Sequence, residues 1–428
     1  MVIPTPRLDP RLQRRYEKLV REHLHTSENQ VAGSRALPSV NEAFASTQAA
    51  WRFYANPNVS LEGLLAPLVE QARREMPLVC KQYGLAIHDW SDLPYEAHTS
   101  KKDRRKIGSG LGYRLATTLL ISDLTGAPIA PISLGLLAND GWRTTFDEKK
   151  RADWSPLDLV SETMPALQKQ QLPFPLVHII DREGDSIFHH REWNGAGELF
   201  LIRANGSNRI VWQERTQLLG VVAAQIELRA GQAVEIAANV SGQLMVGETS
   251  IVIDRPAFPK VRNSKRRWVK GEPLTLRLIV CQLRLPDETM EAEWYLLSNV
   301  PSEIRAEELA NWYYWRWRVE SYFKLLKSHG FQVDQWQQET VEGIAKRLLV
   351  AAMACVVVWR LQRTTAPEMV PLRDLLVRLS GRQVRRKQPT APALLAGFWV
   401  FLSAIELLEH YDRHDLKQMA RLIVPGYS

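Results

Sequence analysis

Five polar side chains recur along one short segment, Asn311-Trp-Tyr-Tyr-Trp-Arg-Trp-Arg-Val-Glu-Ser-Tyr-Phe-Lys-Leu-Leu-Lys327. Tyr313, Arg316, Glu320, Lys324 and Lys327 stand at steps of three or four residues. At about 100° per residue, a helix gathers them within roughly 80° of one another. One acid among three cations and a phenol on a single face suits an acidic polymer and a metal ion. Mixed charges at this spacing also make solvated faces laced with weak pairs, so the segment alone leaves both readings open. Trp312, Trp315 and Trp317, three of the chain's 14 tryptophans, require part of it to be buried.

Two acids far upstream tip the balance. Leu85-Ala-Ile-His-Asp89 and Pro175-Leu-Val-His-Ile-Ile-Asp181 read as buried strands that each stop at an aspartate. A strand ending this way delivers its carboxylate to the sheet edge, where ligands and metals bind in α/β folds. Either aspartate alone also fits a turn residue or a helix cap. Asp181 opens a dense polar cluster, Arg182-Glu183-Gly184-Asp185. Asp123, in Ser122-Asp-Leu-Thr-Gly126, suits a hairpin turn and is set aside. Together, Asp89, Asp181 and Glu320 are hard oxygen ligands of the kind that hold Mg²⁺ or Mn²⁺. Two such ions about 3.5–4 Å apart activate the attacking oxygen and stabilise the leaving one in phosphodiester displacement. Neighbouring cations would hold phosphates and balance the charge that develops.

The set Tyr313-x2-Arg316-x3-Glu320-x6-Lys327 resembles the Tyr-Arg-Glu-Lys signature of bacterial insertion-sequence transposases, which carry an Asp-Asp-Glu triad on a ribonuclease-H-like core. Ala50-Trp-Arg-Phe-Tyr-Ala-Asn-Pro-Asn-Val-Ser60 resembles a segment of that family's amino-terminal domain. Asp89-x3-Leu-Pro-Tyr95 and Asp181-Arg-Glu-Gly-Asp185 resemble the surroundings of its first two catalytic acids. The resemblance covers roughly residues 8–345.

This resemblance implies a cut-and-paste DNA transposase. It would bind the inverted repeats at element ends and target DNA as a homodimer, in the cytoplasm at the bacterial nucleoid, without a membrane. Asp89, Asp181 and Glu320 would be the catalytic triad holding two Mg²⁺ or Mn²⁺ ions. Tyr313, Arg316 and Lys327 would grip phosphates beside the cut, with Lys324 on the same cationic face. A DNA hairpin would form at the element end, with a flipped base stacked on Trp294 and Trp317 as a second wall. An aromatic face restores stacking lost by an extruded base; the other reading of Trp294 is an anchor in a core strand. Arg15 and Arg52 are the best-matched contacts to the element end. Ala55 stands where a relative has Arg, and the carboxy-terminal portion matches no known pairing surface.

The chain has 428 residues, 45% hydrophobic and 24% charged, enough for two to four packed units. A net charge of +8 favours a polyanionic partner and salt-sensitive binding. Cationic clusters at Lys101–Lys106, Lys260–Lys270 (with Trp268) and Arg382–Lys387 read singly as exposed loops and jointly as support for DNA tracking. Cys80, Cys281 and Cys355 lack zinc or disulfide spacing, which points to a reducing cytosol. No signal-peptide pattern opens the sequence. The apolar run Leu348 to Trp359 is too short to cross a bilayer, which needs about 20 residues, and reads as a buried helix.

The fold class expected is α/β, a ribonuclease-H-like mixed sheet with a β-rich insertion, flanked by helical terminal domains. Residues 1–75 would be the helical end-binding domain, with a helix from Asp9-Pro10 and another from about Leu61. Residues 76–205 would be the first part of the core, with strands at 85–89, 112–122, 129–138, 176–181 and 198–203 and a helix at about 155–170. Residues 206–290 alternate in period two and form the insertion. Residues 291–345 would add the last strand and the Glu320 helix. Residues 346–428 would be a helical dimerisation domain, with Pro389 and Pro392 in a linker.

Two rival readings stand beside the transposase. A structure-selective nuclease on the same core would share the acids; Trp294 and the insertion argue against it. An inactive or domesticated end-binding protein or inhibitor is the other; the intact triad and the presence of Asp9 to Arg52 argue for an active enzyme.

Overall fold

The computed structural model describes residues 3–24, 40–108, 110–147, 149–152, 154–237, 240–257, 270–327, 330–382 and 389–423. Three helices come first: α1 (Pro10–Leu24), α2 (Val40–Ala55) and α3 (Leu61–Val79). The core follows as β1 (Gly84–Pro94), β2 (Arg105–Ile107), β3 (Gly110–Ser122), β4 (Pro128–Ala138), β5 (Gly141–Thr144), α4 (Pro156–Gln168), β6 (Leu176–Ile180), α5 (Ile187–Gly195) and β7 (Leu199–Ala204). The β-rich segment holds β8 (Arg209–Trp212), β9 (Arg215–Leu218), α6 (Leu219–Ala223), β10 (Arg229–Ala237), β11 (Val240–Ile253), β12 (Leu274–Arg284) and β13 (Met290–Ser298). The chain closes with α7 (Ala306–Tyr314), α8 (Arg318–Leu326), α9 (Val341–Arg363), α10 (Val370–Leu379), α11 (Ala391–His410) and α12 (Arg413–Ile423).

All described strands belong to one mixed sheet, in the order β5-β4-β3-β1-β6-β7-β13-β12-β11-β8-β9, with β2 on β3 and β10 on β11. Within it, β4-β3-β1-β6-β7 has the ribonuclease-H-like arrangement: β3 runs antiparallel to β1, while β6 and β7 run parallel to it. The strands of the β-rich segment do not form a separate sheet. They extend the core through β13, which pairs antiparallel with β7.

Helices cover both faces, so the central strands are continuous apolar runs rather than alternating ones. Leu85, Ile87, Val177 and Ile179 share one core cluster with α3 and α9. Ile180 and Phe200 pack on the other face with Leu157 and Val160 of α4 and Trp193 of α5. α9 is buried almost end to end, as a helix that is apolar all round must be.

Four expectations need correction. First, the strand at 85–89 runs on to Pro94, because β3 pairs with it as far as Pro94–Gly112; pairing with β6 stops at Ile87–Ile179, so Asp89 still stands at an open edge. Second, the 311–327 helix is two helices joined by a 3₁₀ turn at Trp315–Trp317. Bulky rings on opposite sides meet different demands there. Trp315 lies flat against Gly126, where a Cβ would come within 2.4 Å of its ring, while Trp317 is 55% exposed. Third, Lys101 does not track DNA from a surface loop. It is buried, lies over the Tyr95 ring and donates to the Trp336 carbonyl at 2.8 Å, and Arg104 is likewise spent on backbone carbonyls. Fourth, Pro392 lies in the first turn of α11, which Thr390 caps, rather than in a linker.

Lys260–Lys270 except its last residue, and Arg382–Lys387 except its first, lie outside the described residues, as does Trp268. Among the described residues, α11 is long and apolar enough to cross a membrane by length and composition; in the fold it packs against α9 and α10.

Candidate active site

Strand register aligns the first two acids. Alternation along β1 puts Leu85, Ile87 and Asp89 on one face and His88 and Trp90 on the other. In the parallel pairing of β1 with β6, Ile87 lies beside Ile179. Two residues further along each strand come Asp89 and Asp181. Asp181 stands where β6 gives way to a 3₁₀ turn, Arg182–Gly184, and caps it by accepting the Glu183 N–H at 2.8 Å. The turn-capping reading of this residue and the ligand reading therefore describe one carboxylate with one oxygen spent.

The third acid arrives through the broken helix. Arg316, in the 3₁₀ turn, donates from Nη1 to Asp89 Oδ2 at 2.9 Å and from Nη2 to Glu320 Oε1 at 3.1 Å. One guanidinium thus bridges to an acid 227 residues away in sequence. The tight turn sets Arg316 deep, with its side chain 10% exposed, while the helical step of four keeps Glu320 beside it. Arg316 Nε is buried without a hydrogen-bond partner among the described residues.

Charge around this guanidinium is dense. Burial pushes the Asp89 carboxyl up to about 6, against the pull of Arg316, and Asp181 and Glu320 add to the rise. Burial alone would weaken Arg316 as a cation, but Tyr313, Asp89, Asp181 and Glu320 together hold its pKa above the usual value. Burial raises the Tyr313 phenol, with Arg316 and Arg203 opposing. At the far end of α8, Lys327 Nζ donates to Ser91 Oγ at 2.8 Å and to the Asp92 carbonyl at 2.6 Å. Burial lowers its pKa while Asp92 and Asp334 pull the other way. Arg114 holds the Asp92 carboxylate and keeps it below the ordinary range.

Three carboxylates around one cation match what a divalent ion requires of its donors. Their spacing here is set by Arg316: among the described residues, no three His, Cys, Asp or Glu side chains close on a single point. Asp89, Asp181 and Glu320 are hard oxygen donors, the type that suits a divalent cation.

The other residues singled out in the sequence divide. Tyr313 is buried and belongs to the cluster; Trp294 is 8% exposed with its ring 5.9 Å from that of Tyr313. Trp317 is exposed and lies under the Arg316 guanidinium, 5.6 Å from ring centre to Cζ. Lys324 is exposed on α8 and lies outside the contacts around the acids. Arg15 and Arg52 lie on α1 and α2, away from this cluster. Arg15 is half-buried with Nη1 lacking a partner among the described residues, and Arg52 is exposed and donates to Gln48.

One cation escaped the sequence reading. Arg203 interrupts the apolar β7 strand Leu199-Phe-Leu-Ile-Arg-Ala204 and acts electrostatically on Tyr313. Its signal was available: a charge inside an otherwise apolar strand next to the Asp181 strand.

The mixed sheet and the broken helix bring Asp89, Asp181 and Glu320 together around Arg316. Residues 221–357 match the protein family described as "Transposase DDE domain", which supports a transposase function. The match takes in Trp294, Tyr313, Arg316, Glu320 and Lys327 and begins after Asp181. No curated protein matches the chain. Among solved structures, one described as "Cryo-EM structure of piggyBac transposase synaptic complex with hairpin DNA" is similar over 97% of this chain and 76% of that one, at 11% identity and a TM-score of 0.37.

Proposed function

We propose that this chain is a DNA transposase of the insertion-sequence kind with the Tyr-Arg-Glu-Lys signature, acting on double-stranded DNA as a homodimer at the nucleoid. The observation that carries the reading is the convergence of Asp89 and Glu320 on Arg316, with Asp181 at the adjacent strand end.

Asp89, Asp181 and Glu320 would hold two divalent ions, Mg²⁺ or Mn²⁺, whose chemistry is to activate the attacking oxygen and stabilise the leaving one. Arg316, once released from the acids, is placed to take a phosphate beside the cut, and Lys327 and Arg203 add positive charge on either side. Tyr313, kept neutral by burial, donates to a phosphate oxygen rather than repelling it. Trp317 offers an open ring face to a base; Trp294 would have to exchange its contact with Tyr313 for one. Water first nicks one strand at the element end. The freed 3′-hydroxyl attacks the opposite strand to give a hairpin, water reopens it, and the 3′-hydroxyl attacks target DNA. All four steps are in-line displacements, so one acidic site serves each.

The decisive test incubates the protein with Mg²⁺ and a supercoiled plasmid carrying the inverted repeats of its own element. Nicked, hairpin-ended and doubly cut products should appear in that order, followed by strand transfer. Gel shift without products would identify an end-binding protein, and nicking without transfer a nuclease.

A further inference from the structure

The polar cluster after Asp181 has a use that its sequence did not disclose. Glu183 Oε2 accepts the indole N–H of Trp90 at 2.9 Å, which ties the turn to the residue next to Asp89. Asp185 reaches the other way, into the entrance of the β-rich segment. Its carboxylate accepts the Asn205 N–H at 2.8 Å and the Asn208 side-chain amide at 3.0 and 2.7 Å. Asn208 in turn accepts from Arg255 Nη2 at 2.8 Å, beyond β11. Gly184 between the two acids is buried against Ile180, where a Cβ would come within 2.6 Å, so the turn is seated on the strand below. Its backbone is closed by Gly184 N–H to Asp181 carbonyl at 3.0 Å and Asp185 N–H to Arg182 carbonyl at 3.2 Å.

We infer that Asp185 and Glu183 are positioning residues: the 181–185 turn is a strut that sets Asp181 relative to Asp89 on one side and to the β-rich segment on the other. Charge-assisted hydrogen bonds make this joint stiff; one end is anchored on β1 at Trp90 and the other on the short β7–β8 turn at Asn205 and Asn208. The inference rests on Asp181 being a member of the active site, and its test is built to fail separately.

Donor and acceptor can be exchanged across the joint. Asp185→Asn sets two amide groups against each other, and flipping Asn208 to relieve this would turn its amide hydrogens on Arg255. Asn208→Asp sets two carboxylates together. The double variant D185N/N208D restores a complementary pair and keeps an acceptor at position 208 for Arg255. Hydrogen–deuterium exchange at residues 181–186 and 205–209 should rise in each single variant and return to the wild-type level in the double. Nicking should fall about tenfold in each single variant, the scale of one charge-assisted bond, with element-end affinity held within about twofold, and should recover in the double. Non-additivity of this kind marks a direct pair. Unchanged exchange in both single variants, or a double variant no better than the worse single, overturns the strut. Asp181→Asn is the control for the underlying reading: if it nicks normally, the proposed active site is wrong, while the exchange measurements still judge the strut.

Discussion

Asp89 and Asp123 lie on neighbouring strands or at their ends, and both are largely sheltered, yet their surroundings are opposite. Asp123 accepts the backbone N–H groups of Lys81 at 2.7 Å, Gln82 at 2.9 Å and Tyr83 at 3.0 Å, fastening the end of α3 to the β3–β4 turn. These donors are neutral, rigid and part of the main chain, and they complete the carboxylate. Asp89 has one such donor, the Trp90 N–H, together with a side-chain guanidinium and two acids nearby. A carboxylate finished by backbone amides is a structural part. One balanced by exchangeable charge is poised for a ligand, and its raised pKa records the cost of that poise.

The largest effect should separate these two acids. Asp89→Asn is expected to reduce strand cleavage by at least about a thousandfold, since it removes several kcal/mol of charge stabilisation, while thermal stability is unchanged or raised. Asp123→Asn should do the reverse. It turns an amide group toward backbone donors, costs about 2 kcal/mol of stability, and leaves cleavage per folded molecule within about twofold. Calorimetry and a plasmid cleavage assay on both proteins check this; equal loss of cleavage in the two would erase the distinction.

Next come the exchangeable cations. Arg316→Gln, Lys327→Gln and Arg203→Gln should each slow the steps after the first nick about tenfold, with smaller effects on element-end recognition. Gels that resolve nick, hairpin and double-strand break would show a shifted product ratio. An unchanged ratio for Arg203→Gln would return that residue to the sheet as a solvent-facing charge.

The effect that is smallest at neutral pH, and grows only as the solution is acidified, concerns two buried histidines. Burial, helped by Arg347, lowers His23 to about 3, and burial lowers His190 to about 4 against the pull of Asp185. Both are neutral in the fold, while the unfolded chain takes up protons below its ordinary value near 6.5. The unfolded state therefore binds more protons as pH falls, and stability declines from about pH 6.5 toward 4. The slope is about 1.4 kcal/mol per pH unit for each histidine. Denaturant titrations across that range, repeated with His190→Gln, should show a shallower slope in the variant.

Much of the core was readable because backbone periodicity is local. The apolar runs that became β3, β4, β6 and β7 and the helix at α4 carry their signals within ten or so residues. Asp89 and Asp181 could be picked out because each closes an apolar run, and Glu320 because it shares a helical face with three cations. The helix break at Trp315–Trp317 was not readable, since it depends on Gly126, nearly two hundred residues away, offering a flat floor to one ring. Lys101 looked like a surface cation for a similar reason: its partner, the Trp336 carbonyl, is 235 residues off.

Residue order alone therefore indicated most of the core strands and helices, which strands end in acids, and that cations accompany Glu320. Each of these follows from steric and hydrophobic preferences acting over a turn or two of chain. Assembly of the sheet settled the rest: that Ile87 lies beside Ile179 and brings two aspartates abreast, that Arg316 bridges two of the acids, that Asp123 is finished by amides, and that Asp185 reaches Asn208. The role of a charge is set by the partner that folding brings within about 3 Å of it, and here the partners that matter come from distant parts of the chain.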